Sequence, residues 1–248
     1  MSRYFDLMQQ LEMSQGSSSD RTVASAPVVL NTTGSEGGSL DWAGEEALKL
    51  VQRIFLLQTK EAPHVVVFAG IDHGNGCSRI CRAVAEALAK NAAGSVCLVE
   101  ANFRSPGMPA LFGTTNHHGL TDALLHQGPI RSFTKPTSND RLWLLSAGTL
   151  AADSPTLLSS GHLKTRLAEL RAEFDFVIID APPLTRYADA IALGQLADGL
   201  VLILEADSTR KKAALMAAAN LRSSNIQILG AVLNKRTFPI PEKIYSRL

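Results

Sequence analysis

Apolar residues come along this chain in short unbroken runs, separated by longer stretches with helical spacing. The runs are HVVVFAG (64–70), SVCLVE (95–100), RLWLLSAG (141–148), FVIIDAPP (176–183), GLVLILEA (199–206) and IQILGAVLNK (226–235). Each has strand length, and several are rich in β-branched residues. Between them the spacing predicts helices. One is capped by Asp41 and runs through EEALKLVQRIFLLQ to about Thr59. A second, 78–93, carries Ile80, Val84 and Leu88 on one face and stops at Gly94. Others cover 120–128, 155–174 with a break near Gly161, 186–197 and 209–225. Continuous apolar strands need cover on both faces, so the alternation predicts an α/β fold with a doubly wound, mostly parallel sheet. In such sheets ligands bind at the carboxyl ends of the strands.

Outside this pattern the texture changes. Residues 14–40 are dominated by Ser, Gly, Thr and Asn, and they carry too little apolar surface to offset ordering. The sequence therefore predicts a flexible N-terminal arm over 1–40, one α/β domain over 41–236 and a C-terminal tail over 237–248. Within the arm, Met1–Met13 reads equally as a short amphipathic helix or a frayed end. Lys235, Arg236, Lys243 and Arg247 read as a solvated basic tail.

Composition narrows the classes. Of 248 residues, 46 % are hydrophobic, enough for a full core. Lys plus Arg total 24 against 23 Asp plus Glu, and that balance argues against a bulk electrostatic grip on nucleic acid or anionic lipid. No apolar run approaches the roughly 20 residues that span a bilayer. The first residues lack a basic stretch followed by an apolar one, so no signal peptide is expected. Three cysteines make no disulfide framework, and a reducing cytosol is the expected compartment.

The strand ends carry the chemistry. After the first strand comes Gly70-Ile71-Asp72-His73-Gly74-Asn75-Gly76-Cys77-Ser78 and then a helix. A strand, a glycine-rich turn and a helix N-terminus form the geometry that gathers backbone N–H groups on a phosphate. A P-loop reads G-x-x-x-x-G-K-[ST]. Here Gly76 and Ser78 fit, Ile71 replaces the first glycine, and Cys77 stands where the lysine belongs. The other acidic strand ends are Glu100, followed by Asn102 and Arg104, and Asp180, the expected magnesium-side carboxylate.

In series, these segments resemble the cytosolic domain of bacterial tyrosine kinases of the capsular and exopolysaccharide type, relatives of the MinD/ParA P-loop ATPases. Glu46 to Gln52 resembles the E-x-x-R-x-x-R helix, and VVVFAGIDHGNGCS the loop T-S-x-x-P-G-E-G-K-S. LVEANFRSPGMPALFG resembles L-I-D-A-D-L-R-R-P-x-x-x-x-L-F-G. Gly119 to Leu124 resembles G-L-S-D-x-L, and Leu145 to Gly148 followed by Ser154 to Ser160 resembles L-P-A-G and N-P-x-E-L-L-x-S. FDFVIIDAPPL, Asp189…Asp198-Gly199 and Leu229 to Asn234 continue the match.

The resemblance implies ATP and Mg²⁺ as cofactors. It implies phosphate binding by Gly74, Asn75, Gly76, Cys77 and Ser78, with Arg104 on the phosphate side and Asn234 near the base. Ser78 and Asp180 would face magnesium, and Asp180, Glu100 and Asn102 would occupy the catalytic carboxylate positions. Self-association would run through Glu46, Lys49, Gln52 and Arg53, and phosphorylation would fall on Tyr245. The implied partner is a membrane-embedded activator that controls polysaccharide chain length. Yet the departures fall on the chemistry. Cys77 replaces the lysine, Glu100 and Asn102 replace aspartates, and Lys49 and Gln52 replace arginines with Arg53 one place late. The chain therefore reads as a catalytically impaired regulatory member of that family.

Three other readings use the same residues. One is an active autokinase with a non-standard P-loop. Another is a dinucleotide-binding protein, with Gly74-x-Gly76 on the pyrophosphate and Glu100 on a ribose, although Arg79 fills the third glycine position. The last is a metal or redox site from His73, Cys77 and Cys81, with Cys97 on the next strand. Against it, Cys81 and Cys97 read as small buried hydrophobes and no zinc is expected. His117-His118 reads as a solvated turn.

Overall fold

The computed structural model describes residues 40–56, 62–149, 154–158 and 161–235. The expected arm, its short helix, the tail beyond residue 235 and Tyr245 lie outside the described residues.

In chain order the elements are α1 (Leu40–Val51), β1 (Val65–Gly70), α2 (Cys77–Asn91), β2 (Val96–Glu100), α3 (Met108–Phe112), α4 (Leu120–Leu125), β3 (Lys135–Pro136) and β4 (Leu142–Leu145). There follow α5 (Ser154–Leu157), α6 (Gly161–Glu173), β5 (Phe176–Ala181), α7 (Asp189–Leu196), β6 (Gly199–Glu205), α8 (Lys211–Ser223) and β7 (Ile228–Asn234). The seven strands form one sheet in the order β3-β4-β2-β5-β1-β6-β7, parallel except for the β3–β4 pair.

The period of two along a strand distributes one run over both faces. Val65, Val67 and Ala69 of β1 face a core that includes Leu163 and Leu167 of α6, Leu193 of α7 and Leu221 of α8. Val66 and Phe68 face the other core, with Leu50 of α1 and Val84 and Leu88 of α2. All six residues of β1 are buried, which is why the sequence shows a run and not an alternation.

Differences from the sequence reading have local causes. Asp41 lies inside α1 instead of capping it, and the helix loosens into a π turn over Gln52–Leu56. α7 starts at Asp189 because Pro182 and Pro183 lead into a turn in which Arg186 and Tyr187 donate to Pro183 O. Gly119 is needed at the start of α4, where a Cβ would sit 2.1 Å from Ser146 O. That close approach docks α4 on the carboxyl end of β4.

Candidate functional site

β1 ends at Gly70, and Ile71 N still donates to Ile203 O of β6. The chain then turns through Asp72–Gly76, with Gly74 at φ +85° and Gly76 at φ +84°. Side chains hold this turn from several sides. Asn75, buried, accepts from Asp72 N through Oδ1 at 2.7 Å and donates through Nδ2 to Glu205 at 3.2 Å. Asn234 Nδ2 donates to Asn75 O at 2.7 Å. Lys235 Nζ donates to Gly74 O at 2.8 Å and lies 3.1 Å from Glu205 Oε1. Thr185 Oγ1 donates to Ile71 O and meets Asp72 Oδ1 at 2.9 Å. A Cβ on Gly76 would lie 2.3 Å from Asn234 Nδ2, so glycine is required there for space as well as for φ. The expectation that Lys235 belongs to a solvated tail is corrected: its amine is tied to the turn.

Beneath the turn, α2 starts at Cys77. The first helical residues have no acceptor in a preceding turn, so their N–H groups open toward the loop. Ser78 Oγ donates to Asp180 Oδ2 at 2.6 Å. Cys77 Sγ lies 3.9 Å from Cys81 Sγ, and Cys81 Sγ lies 3.7 Å from Asp180 Oδ1. A hydrogen bond with Cys81 favours the Cys77 thiolate, but desolvation and the Asp180 charge push the thiol up to about 11. Burial likewise raises Cys81, and desolvation raises Asp180 to about 6 against its hydrogen bond from Ser78. The metal reading that enlisted His73 and Cys97 is corrected. His73 is exposed and outside the cluster, and Cys97 packs in the core on the opposite face of the sheet from Cys81. His117 and His118 are exposed in the segment before α4, as expected of a solvated turn.

The second acidic strand end has a different job. Glu100, 1 % exposed, pairs in register with Asp180 across β2 and β5. Its Oε1 accepts from Gly107 N and from Met108 N at 2.7 Å, and its Oε2 from Ala147 N at 3.1 Å. The carboxylate thus anchors the segment after β2 to the end of β4. This corrects the ribose reading, since a ribose-binding acid must present its oxygens to the ligand. Asn102 Oδ1 is buried without a hydrogen-bond partner among the described residues. Arg104 stacks on Tyr187 at 3.9 Å and pairs with Asp189 at 3.3 Å, so it bridges to the segment after β5.

Elsewhere, Glu46 is buried and bonded to exposed Lys49 at 2.7 Å, while Gln52 and Arg53 are exposed on the π turn. Among the described residues no helix is long and apolar enough to cross a membrane.

A parallel sheet in this order, with a glycine turn, a helix N-terminus and an opposed acid, is the fold of the MinD/ParA-type P-loop ATPases. MinD from Pyrococcus horikoshii, solved with Mg-ADP, superposes with a TM-score of 0.61 at 16 % identity, over 74 % of this chain and 76 % of that one. The chimerical protein CapA2B2 superposes with a TM-score of 0.73 at 23 % identity, over 78 % of this chain and 85 % of that one. In sequence, the chain is similar to bacterial tyrosine-protein kinases. Tyrosine-protein kinase YwqD of Bacillus subtilis is 34 % identical over 139 residues, 56 % of this chain and 59 % of that protein. Tyrosine-protein kinase CpsD of Streptococcus agalactiae is 26 % identical over 172 residues, 69 % of this chain and 75 % of that protein. The chain spans about three fifths of YwqD and 27 % of tyrosine-protein kinase Wzc of Salmonella typhimurium. No family model matches it.

Sequence reasoning missed the latch made by Asn75, Glu205 and Lys235, and the approach of Cys81 to Asp180. Spacing gave one clue to the latter: Cys77 and Cys81 are a helical turn apart on the face that meets β5.

Proposed function

We propose that this chain is a capsule- and exopolysaccharide-type tyrosine-kinase relative in which phosphoryl transfer is slowed by orders of magnitude. In this reading it serves as a regulatory partner of a membrane-embedded chain-length or export assembly. The observation that carries it is Cys77. Its side chain stands at the P-loop lysine position, is neutral at physiological pH, and lies against Cys81 and Asp180. Catalysis of phosphoryl transfer rests on positioning and on charges placed where negative charge develops. Removing one such donor costs about 3–4 kcal/mol, or about 10²–10³ in rate. Asn102 in place of a second acid, and Glu100 committed to backbone amides, add to that loss.

The remaining parts fit a nucleotide. Backbone amides of Gly74, Asn75, Gly76, Cys77 and Ser78 form the phosphate cradle, and Asn234 fixes its shape. Ser78, Asp180 and the unpartnered Asn102 oxygen are hard oxygen donors of the kind Mg²⁺ takes. Mg²⁺ would supply Lewis-acid neutralisation of phosphate charge there. Arg104, held by Asp189 and Tyr187, supports the loop after β2. Glu46, Lys49, Gln52 and Arg53 are the proposed self-association positions and Tyr245 the proposed phosphorylation site.

Calorimetry with Mg-ATP and Mg-ADP tests the binding half. A Kd of about 0.1 mM or weaker, near −5.5 kcal/mol, is expected. Sub-micromolar binding contradicts it. The active-autokinase reading has one observation in its favour, the Lys235 amine 2.8 Å from Gly74 O. However, that amine is shared with Glu205, which offsets its charge.

A further inference from the structure

The base of the glycine turn holds two sulfurs and a carboxylate that the nucleotide reading does not use together. We propose that Cys77, Cys81 and Asp180 form a binding site for a thiophilic divalent cation, with Zn²⁺ the ion that fits. The site shares Asp180 with the proposed magnesium position, so the two ions compete for that carboxylate, and the test is run without nucleotide or Mg²⁺.

Geometry is its first support. Cys77 and Cys81 lie one turn apart on α2, so their side chains share a face, and Asp180 meets that face from the end of β5. The sulfurs are 3.9 Å apart, Cys81 Sγ is 3.7 Å from Asp180 Oδ1, and the three ligand atoms all lie within 4.8 Å of one another. A tetrahedral ion with Zn–S of about 2.3 Å and Zn–O of about 2.0 Å requires S···S of about 3.8 Å and S···O of about 3.5 Å. Two edges of that tetrahedron are therefore already formed to within a few tenths of an ångström. The third edge, Cys77 Sγ to the Asp180 carboxylate, is within 4.8 Å and must shorten by about an ångström or less, a small adjustment at Cys77, which is only half-buried.

Chemistry is the second support. Two thiolates with one carboxylate is a soft donor set that favours zinc over magnesium. Ser78 Oγ, 2.6 Å from Asp180 Oδ2, holds the carboxylate in place for the ion, and water completes the fourth position. Both thiols are protonated in the free protein, so the ion displaces their two protons to solvent and takes both sulfurs as thiolates. The three ligands then carry a formal −3 against +2, and the α2 N-terminus offsets part of the difference.

The test uses the full chain, reduced and stripped of metal, titrated with Co²⁺ and then with Zn²⁺. The expected result is one ion per chain, a thiolate-to-cobalt charge-transfer band that Zn²⁺ removes, and a rise in melting temperature with Zn²⁺. Cys77→Ser should cut the band per bound cobalt to about half, the share of the remaining Cys81 thiolate, and weaken binding at least about 10–100-fold, the range that losing even a supporting partner of a ligand costs. Cys97→Ala should leave both unchanged. Because Cys81 is fully buried, Cys81→Ser risks unfolding, and the wild-type titration with Cys77→Ser decides without it. Absence of a band, a band of undiminished intensity and affinity in Cys77→Ser, or equal loss in a folded Cys97→Ala overturns the proposal.

Discussion

Glu100 separates two roles that a carboxylate at a strand end can play, and Glu100→Ala distinguishes them. If the side chain is an anchor, its removal leaves the N–H groups of Gly107, Met108 and Ala147 without their acceptor. At about 1 kcal/mol for each bond, the central value for an intramolecular hydrogen bond, the loss is about 3 kcal/mol. Desolvation holds this carboxyl above its ordinary range despite the three amides, so relieving that burial returns part of the loss. The net expectation is a destabilisation of about 2 kcal/mol. With slopes of 1–3 kcal/mol per M, that is roughly a 1 M fall in the urea midpoint at neutral pH. Limited proteolysis should also find faster cleavage between Asn102 and Gly107. If Glu100 were instead a ligand-facing acid held for magnesium or a ribose, truncation would remove a buried charge and stabilise the ligand-free protein. An unchanged or raised midpoint for Glu100→Ala refutes the anchor.

Three further outcomes follow from the geometry. Gly76→Ala places a Cβ 2.3 Å from Asn234 Nδ2 at φ +84°, and a loss of about 1–3 kcal/mol is expected in thermal melts. Asp198 pays a desolvation penalty, but Arg171 and the N–H groups of Val65 and His64 outweigh it and lower its pKa. Its folded pKa is below the unfolded value, so its contribution is present above about pH 4 and lost as pH falls through the folded pKa. Urea melts of wild type and Asp198→Asn should differ by about 1–2 kcal/mol at pH 7 and converge at acid pH. Lys235→Ala removes the bond to Gly74 O. It should loosen the turn, seen as faster hydrogen exchange at 72–76.

How much of this was legible depends on what each residue touches. β1, β5 and β6 stand out in the sequence because burial on both faces selects unbroken Val, Ile and Leu. The edge strand Lys135–Pro136 is two residues long and pairs only with β4, so no periodicity marks it. α3 is likewise five residues long, although Pro109 near its start is a recognisable signal. The glycine turn was readable from Gly74 and Gly76, whereas the side chains that hold it come from β6, β7 and the segment after β5, more than 100 positions away. Lys235 looked like tail because local charge pattern carries no record of Gly74 O. Glu100 looked like a ligand-facing acid because a strand-end carboxylate has the same spacing whether it faces a ligand or a backbone.

The central claim is that the neutral Cys77 side chain leaves this fold without cationic help for phosphoryl transfer. Transfer of the γ-phosphoryl group from Mg-ATP to water or to the chain itself, followed in wild type and in Cys77→Lys/Asn102→Asp, tests it most directly. The account expects wild type at or near background and at least a roughly 10²-fold gain in the double variant, the size of one restored charge donor. Wild-type turnover within the 1–100 s⁻¹ of ordinary kinases contradicts it.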